Sequence, residues 1–273
     1  MSKGHFAAIV GSWRKRGNCE ILAKLSTDIA SKNKGISTEI VYLRDYKILP
    51  CDGCMKCVFQ NVRCPMDDDF YLLLDKLSRA DYLFLVAPTY VLSIPGSLKL
   101  FIGRYLTVHE FYEHFYGRPS LSIGIAGRAG WERLQLPTLN LFLLTIGYKI
   151  IDSFIAHGAG PGEVILNDES IQRLKRNLEN LFNYNYKPYN SITSNSCPVC
   201  FSQVFERLGG GRWRCPVSDI TAEEKDNGLF FSNTALNNHR WTKENVRDHF
   251  ENWIKKTKPR FINNLKKIRE RRK

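Results

Sequence analysis

Short apolar segments alternate with amphipathic segments over the first two thirds of the chain. The run FAAIV at 6–10 is continuously apolar and ends in a Gly/Ser loop, as expected of a buried strand. The following segment places Ile21, Leu22, Leu25 and Ile29 at helical spacing. This strand-then-helix succession occurs five times before residue 183. It predicts a five-stranded parallel sheet with helices on both faces, an α/β fold.

The remaining elements follow from the same two periods. The predicted strands are STEIVYL at 37–43, YLFLVAPTY at 82–90, LSIGIAG at 121–127 and KIIDSFIAHG at 149–158. The predicted helices lie at 67–80, 94–106, 132–147 and 168–182. A polar, Asn- and Ser-rich stretch at 183–196 predicts a boundary between a domain at 1–187, with an inserted cysteine loop at 45–66, and a smaller segment at 188–273.

The smaller segment combines a cysteine pattern with a basic tail. Helical spacing of apolar residues predicts a helix at 242–256, which Pro259 should interrupt before a second apolar face begins. The net charge of the chain is +13, and residues 255–273 carry +9 of it, so the basicity belongs to the tail. Such a tail suits nucleic acid, an anionic surface or a small acidic electron carrier, or it is simply solvated.

No stretch of the chain approaches the roughly 18 apolar residues of a membrane span. The N-terminus reaches charged residues too early for a signal peptide. We therefore expect a cytoplasmic protein without a membrane segment. In a reducing compartment structural disulfides are rare, so clustered cysteines there favour metal or redox chemistry.

The loop after the first predicted strand, GSWRKRGN at 11–18, offers hydroxyl, glycine and amide groups to an anion. It lacks both the dinucleotide fingerprint G-x-G-x-x-G and the P-loop pattern. Alone it is equally compatible with an ordinary helix start. Two further loops should emerge at the same sheet edge, APTY at 87–90 and AGRAGWE at 126–132.

Taken together, the patterns GSxRxxGN, APTY…LKxFIxR and a glycine-rich loop after the fourth strand resemble the NAD(P)H-dependent FMN reductases, which are flavodoxin-like proteins. The resemblance covers residues 4–182. It implies an FMN site and a homo-oligomer, a dimer or tetramer, in which a partner chain completes the flavin pocket. The residues that would hold the FMN phosphate are Ser12, Arg14, Gly17 and Asn18. Those that would flank the flavin rings are Pro88, Thr89, Tyr90, Gly127, Arg128, Gly130 and Trp131.

Four cysteines lie within fourteen residues, at the spacing C-x2-C-x2-C-x6-C, in the loop after the second predicted strand. Soft thiolates in such a run can surround an iron–sulfur cube, with the last cysteine closing the set. The pattern resembles that of the iron–sulfur flavoproteins, which implies a [4Fe–4S] cluster beside FMN, held by Cys51, Cys54, Cys57 and Cys64. Packing thiols, a reversible disulfide and a zinc site stay open as alternatives. Cys19 stands alone and suggests a buried, inert residue.

The C-terminal cysteines form a second group. CPVC at 197–200 and RCPVSD at 214–219 look like two knuckles of a zinc ribbon, with glycines 209–211 at the hairpin between them. Position 218 is Ser where a fourth Cys would stand. A zinc site of Cys197, Cys200, Cys215 and Asp219 is one interpretation, with His239 as another fourth ligand. The alternative is a decayed knuckle that binds no metal.

The resulting prediction is an FMN-dependent electron-transfer oxidoreductase that uses a [4Fe–4S] cluster to exchange electrons with a carrier such as ferredoxin. No side chain is required as a catalytic acid or base, because the cofactors perform the chemistry. One alternative is a cluster-free NAD(P)H-dependent flavin or quinone reductase. Another is a nucleic-acid or protein-binding module built on the same scaffold.

Overall fold

The computed structural model describes residues 4–33, 35–184 and 188–272. Five parallel strands form the central sheet in the order β2-β1-β3-β4-β5. They are β1 Gly4–Val10, β2 Ile36–Tyr42, β3 Tyr82–Pro88, β4 Pro119–Ala126 and β5 Lys149–His157. The associated helices are α1 Asn18–Ser31, α2 Lys56–Phe59, α3 Phe70–Ser78, α4 Gly96–Gly103, α5 Tyr105–Val108, α6 Tyr112–Phe115, α7 Gln135–Thr145 and α8 Asp168–Phe182. The predicted α/β architecture is confirmed.

Side chains of the central strand β1 separate the two layers of the core. Phe6 and Ala8 belong to the cluster that α1 and α8 cover. Ala7 and Ile9 belong to the cluster that includes residues of α3, α4 and α7. Successive residues of a strand point to opposite faces, so a sheet covered on both faces needs the continuous apolar run seen in the sequence.

The helix predicted at 94–106 is wrong in its extent. α4 ends at Gly103, and Arg104 separates it from the short α5. The buried Arg104 side chain turns inward to pair with Asp68. The helix therefore breaks at the residue whose buried guanidinium pairs with Asp68. The spacing of apolar residues alone does not reveal this break.

A second, antiparallel sheet follows in the order β6-β10-β9-β8-β7. Its strands are β6 Ile192–Ser194, β7 Glu206–Gly209, β8 Arg212–Arg214, β9 Thr221–Lys225 and β10 Gly228–Phe231. The last helices are α9 Asn233–Asn237, α10 Lys243–Asp248, a π-helical turn His249–Ile254 and α11 Thr257–Arg271. Pro259 lies in the first turn of α11, where its missing N–H has no helical acceptor to lose. The break precedes it, at Lys255 and Lys256.

The small sheet and its cysteine turns pack on α7, a helix that covers one face of the large sheet. Val199 and Phe231 share a hydrophobic cluster with Leu139 and Phe142 of α7. The boundary predicted at residue 187 lies outside the described residues, which resume at 188. Within the described ranges, no helix is both long and apolar enough to cross a membrane.

Candidate functional site

A cleft opens at the carboxyl edge of the large sheet, where the loops after β1, β3, β4 and β5 meet. Its volume is about 150 Å³. It is lined by Ser12, Arg14, Gly17, Asn18, Cys19, Pro88, Thr89, Tyr90, Ile125, Gly127, Gly158 and Ala159. Eight of these were predicted from the sequence. The residues after β5 were missed, although the glycine-rich run AHGAGPG at 156–162 was a visible signal.

The loop from Gly11 to Gly17 leads into the N-terminus of α1 at the floor of the cleft. Gly17 is the N-cap and provides no side-chain cap, so N–H groups of the first helical turn stay available to an anion. A Cβ on Gly17 would lie 3.0 Å from Cδ of Arg14, and one on Gly11 would lie 2.9 Å from Cβ of Ala87. Glycine at both positions therefore lets the loop fold closely around a ligand.

Asn18 has a different role from the one expected. Its side-chain amide donates to the carbonyl of Gly158 at 2.8 Å, and its Oδ1 accepts from the N–H of Gly162 at 2.7 Å. The side chain thus ties the loop after β1 to the loop after β5. Its backbone N–H and the second hydrogen of its amide remain for a phosphate.

Three other cleft residues fit the binding of an anion and a polar ligand. Arg14 is exposed and forms no ion pair within the described ranges, so its charge is available. The hydroxyl of Thr89 is buried without a hydrogen-bond partner among the described groups, which leaves it free for a ligand atom. Burial raises the pKa of Cys19 to about 12, so this thiol stays protonated and unreactive.

The structure does not bring Arg128, Gly130 and Trp131 into the cleft wall. They form an exposed loop at its mouth, where Trp131 retains 59% of its surface. The carbonyl of Leu92, in the loop after β3, accepts from the N–H of Leu134 at 3.0 Å and so joins the two loops. The adjacent Val91 is 90% exposed and adopts a φ of +47°, an unfavourable value for a β-branched residue. The mouth is therefore strained and apolar.

The cysteine loop is anchored at both of its ends by one group of buried polar contacts. Asp68 Oδ2 accepts from the N–H of Leu49 at 2.9 Å and pairs with Arg104 Nη1 at 2.7 Å, and both of these side chains are fully buried. Asp69 accepts from the N–H of Lys47 at 2.8 Å. The acidic run at 67–69, read in the sequence as a helix start, thus holds the base of the loop.

The four thiols of the loop are accessible. Cys51 and Cys54 are exposed, whereas Cys57 and Cys64 are half-buried. Burial raises the pKa of Cys57. No three of these sulfurs lie within 4.8 Å of one another among the described residues. A single zinc ion would require sulfurs about 3.8 Å apart, from Zn–S bonds of about 2.3 Å, whereas a cubane spreads its thiolates over four irons. The open arrangement therefore argues against a single-ion site.

None of the four cysteines lines the cleft itself. Cys57 instead borders a separate cavity of about 90 Å³ that Thr107, Phe250 and Lys255 also line. Lys258 of α11 lies 5.7 Å from the ring centre of Phe59, in the same loop. The basic tail therefore borders the cysteine loop, a proximity that the sequence did not reveal.

The second group of cysteines is compact and fully buried. The sulfurs of Cys197, Cys200 and Cys215 lie within 4.8 Å of one another, with 3.4 Å between Cys200 and Cys215. Hydrogen bonds from the Cys197 and Cys200 thiols lower the pKa of Cys215, while burial raises the pKa of Cys197 and of Cys200. At neutral pH Cys215 is therefore a thiolate that accepts hydrogen bonds from two protonated thiols, those of Cys197 and Cys200.

The two residues proposed as a fourth ligand lie elsewhere. The carboxylate of Asp219 is half exposed and lies 3.5 Å from Arg240 and 4.0 Å from Arg214. His239 Nδ1 accepts from the N–H of Trp241 at 3.1 Å. The structure brings neither side chain into the group of three sulfurs.

Comparison with known proteins gives the geometry a family context. The family model of NADPH-dependent FMN reductases matches residues 5–160, more than half of the chain. An iron–sulfur flavoprotein of Archaeoglobus fulgidus is 28% identical over 173 residues, which are 62% of this chain and 84% of that protein. One of Methanocaldococcus jannaschii is 34% identical over 156 residues, which are 56% of this chain and 80% of that protein.

A solved structure extends the likeness in fold to the C-terminal segment. A flavone reductase superposes with a TM-score of 0.68 at 18% identity, covering 95% of this chain and 92% of that one. At this identity the likeness concerns the fold alone. The small sheet and the large sheet together therefore form an arrangement that occurs in another protein.

Proposed function

This chain belongs to the NADPH-dependent FMN reductase family, and from that premise we propose that it transfers electrons between FMN and a [4Fe–4S] cluster. It is a flavin-dependent oxidoreductase. The cluster, the electron carrier and NAD(P)H as a donor are parts of the proposal. The observation that carries it is the anchored loop with four accessible thiols, present together with the cleft at the sheet edge.

The cleft has the donors that FMN needs. The first-turn N–H groups of α1 and the unpaired Arg14 would bind the phosphate, and the free hydroxyl of Thr89 would donate to a polar atom of the cofactor. Pro88 and Tyr90 would border the rings. When bound, FMN exchanges one or two electrons, and a [4Fe–4S] cluster exchanges one at a time. The role of the protein is to hold both and exclude water.

Cys51, Cys54, Cys57 and Cys64 would hold the cluster. Positive φ angles at Gly53, Met55 and Asn61 fold the loop back on itself between the cysteines. The N–H of Cys54 donates to Asp52 and that of Gly53 donates to the sulfur of Cys51 at 3.4 Å. Hydrogen bonds to a ligating sulfur adjust the reduction potential of a cluster. This turn therefore favours a role of the cysteines as ligands over a role in packing.

The basic helix α11 supports the proposal that the electron-transfer partner is an acidic carrier such as ferredoxin. Lys255, which precedes α11, and Lys258 border the cysteine loop, and no residue of α11 is buried. A patch of one sign next to an electron-exchange site accelerates encounter with a partner of the other sign. Lys258→Glu should slow ferredoxin reduction and flatten its salt dependence, whereas Lys175→Glu on α8 should not. Equal rates for both variants would oppose this partner and leave nucleic acid as the alternative for the tail.

The apolar cleft mouth supports the predicted homo-oligomer. Tyr90, Val91, Trp131 and Leu134 are all exposed there. Exposed apolar groups that are clustered in this way favour a protein interface, in which a second copy would cover the flavin. Val91→Asp should shift the molar mass from light scattering to that of a monomer, while Ile192→Asp, on the small sheet, should not.

The test of the cofactors is composition under anaerobic conditions. We expect one FMN, four irons and four sulfides per chain. Cys54→Ala should lose iron and keep FMN, and Lys56→Ala, at an exposed position of the same loop, should keep both. Flavin without iron in the wild type, even after reconstitution, would instead support the cluster-free NAD(P)H-dependent reductase, which is favoured by the position of the four loop cysteines outside the cleft wall.

A further inference from the structure

The two C-terminal knuckles have the same backbone geometry. In the first, the N–H of Phe201 donates to the carbonyl of Cys197 at 2.8 Å, and Phe201 has a φ of +57°. In the second, the N–H of Asp219 donates to the carbonyl of Cys215 at 2.9 Å, and Asp219 has a φ of +64°. Each turn therefore has a left-handed residue four positions after its first cysteine.

A second pair of contacts closes each turn in the same way. The N–H of Cys197 donates to Ser202 at 2.8 Å, and the N–H of Cys215 donates to Ile220 at 2.9 Å. Both acceptors lie five residues further along. Because the turns match position by position, Ser218 occupies in the second knuckle the place that Cys200 occupies in the first.

Ser218 also faces the sulfurs. It is fully buried, and its hydroxyl oxygen lies 3.1 Å from the sulfur of Cys197. Its N–H approaches the sulfur of Cys215 at 3.5 Å. The neighbouring Asp219 is directed outward to Arg240 and Arg214, because the left-handed turn reverses the chain between the two residues.

We propose that Cys197, Cys200 and Cys215 bind a zinc ion as thiolates, with the Ser218 hydroxyl as a neutral fourth ligand. Binding displaces the thiol protons to solvent, and no electron is transferred. A tetrahedral zinc ion places its sulfurs about 3.8 Å apart, which the compact group approaches with little rearrangement. The site is closed and has no exposed position for substrate, as in structural zinc sites.

The ion would stabilise the contact between the two sheets. The carbonyl of Cys200 accepts from Asn140 Nδ2 of α7 at 2.8 Å. Asn140 in turn contacts Ser122 of β4 and Ser153 of β5, so one buried network joins the first knuckle to the large sheet. An ion that holds the first knuckle in place also holds the Cys200 carbonyl, which accepts from Asn140 in this network.

The test measures zinc in the full-length protein by mass spectrometry and its ligands by X-ray absorption at the zinc edge. We expect one zinc per chain that dialysis does not remove, with three sulfurs at about 2.3 Å and one oxygen at about 2.0–2.2 Å. Cys215→Ala should lose the zinc. Cys54→Ala, in the exposed loop, should retain it, which separates this site from the iron site.

Three further variants decide the fourth ligand. Ser218→Cys should give four sulfurs and slow zinc release to a chelator at least tenfold. Ser218→Ala should change the oxygen signal and speed release, whereas Asp219→Asn should alter neither. Wild-type protein that holds no zinc after expression with added zinc would overturn the proposal. A spectrum that changes with Asp219→Asn and not with Ser218→Ala would overturn the ligand assignment. Neither outcome bears on the iron or flavin content.

Discussion

The two cysteine groups have related spacings and opposite surroundings. In the loop at 51–64 the thiols are exposed or half-buried, and Asp68, Asp69 and Arg104 hold the base of the loop. In the small sheet the thiols are fully buried and share the core with α7. An open loop can adjust around a large cluster, whereas buried, matched turns present a fixed and smaller site. Burial and turn geometry therefore distinguish the two groups, although both begin with C-x2-C.

The largest expected loss of stability comes from the buried ion pair between Arg104 and Asp68, at the base of the cysteine loop. Arg104→Leu leaves the buried Asp68 carboxylate without its partner, and we expect a loss of about 3–5 kcal/mol in the free energy of unfolding. Urea unfolding measures it. Arg79→Ala is the control, because Arg79 and Asp75 form an exposed pair that contributes about 1 kcal/mol or less. Equal losses for both variants would show that the anchor does not depend on the ion pair.

The next effect compares one thiol from each group. Cys200→Ala removes a fully buried side chain and a proposed ligand, so we expect a loss of about 2 kcal/mol or more. Cys54→Ala alters an exposed position and should change stability by about 0.5 kcal/mol or less. Both are measured by urea unfolding of flavin-loaded, iron-free protein. A larger loss for Cys54→Ala would reverse the comparison.

Asn140→Leu tests whether the buried group depends on the large sheet. The variant removes the donor to the buried Cys200 carbonyl and leaves the hydroxyls of Ser122 and Ser153 with only each other, which should cost about 1–3 kcal/mol. Asn264→Leu on the exposed α11 should cost about 0.5 kcal/mol or less. Backbone amides of the two knuckles should exchange hydrogen with solvent faster in Asn140→Leu and not in Asn264→Leu. Unchanged protection would mean that the knuckles are independent of α7.

The smallest effect per measurement step is a pH dependence of about 1 kcal/mol for each pH unit, which arises at His239, between α9 and α10. Burial, with a contribution from Lys149, lowers the pKa of His239 from 6.5 to about 4. The unfolded chain binds this proton first, so the stability contribution is present above pH 6.5 and is lost as pH falls towards 4, by about 1 kcal/mol per pH unit. His239→Gln should remove this part of the slope. Burial also lowers the pKa of His109 to about 4, so only the difference between the two proteins isolates His239. Identical slopes would contradict the assignment.

Sequence patterns predicted the α/β fold and much of the cleft because both depend on local features. Continuous apolar runs such as FAAIV identify strands that are covered on both faces, and the loops after them necessarily meet at one edge. Eight cleft residues came from the resemblance of three of those loops to the FMN reductases. Arg128, Gly130 and Trp131 came from the same resemblance and lie outside the cleft wall, because an exposed loop's path depends on what it contacts and not on its composition.

By itself the sequence determined which residue types could bind an anion, an iron–sulfur cluster or a zinc ion, since spacing along the chain limits which groups one turn can bring together. Tertiary structure alone decided which of them meet. The Asn18 side chain binds the loop after β5, and Asp68 pairs with Arg104. In the second knuckle Ser218, and not Asp219, faces the sulfurs. The first two contacts join residues that are 36 or more positions apart, and the third depends on the left-handed backbone at Asp219. Local periodicity encodes neither of these features.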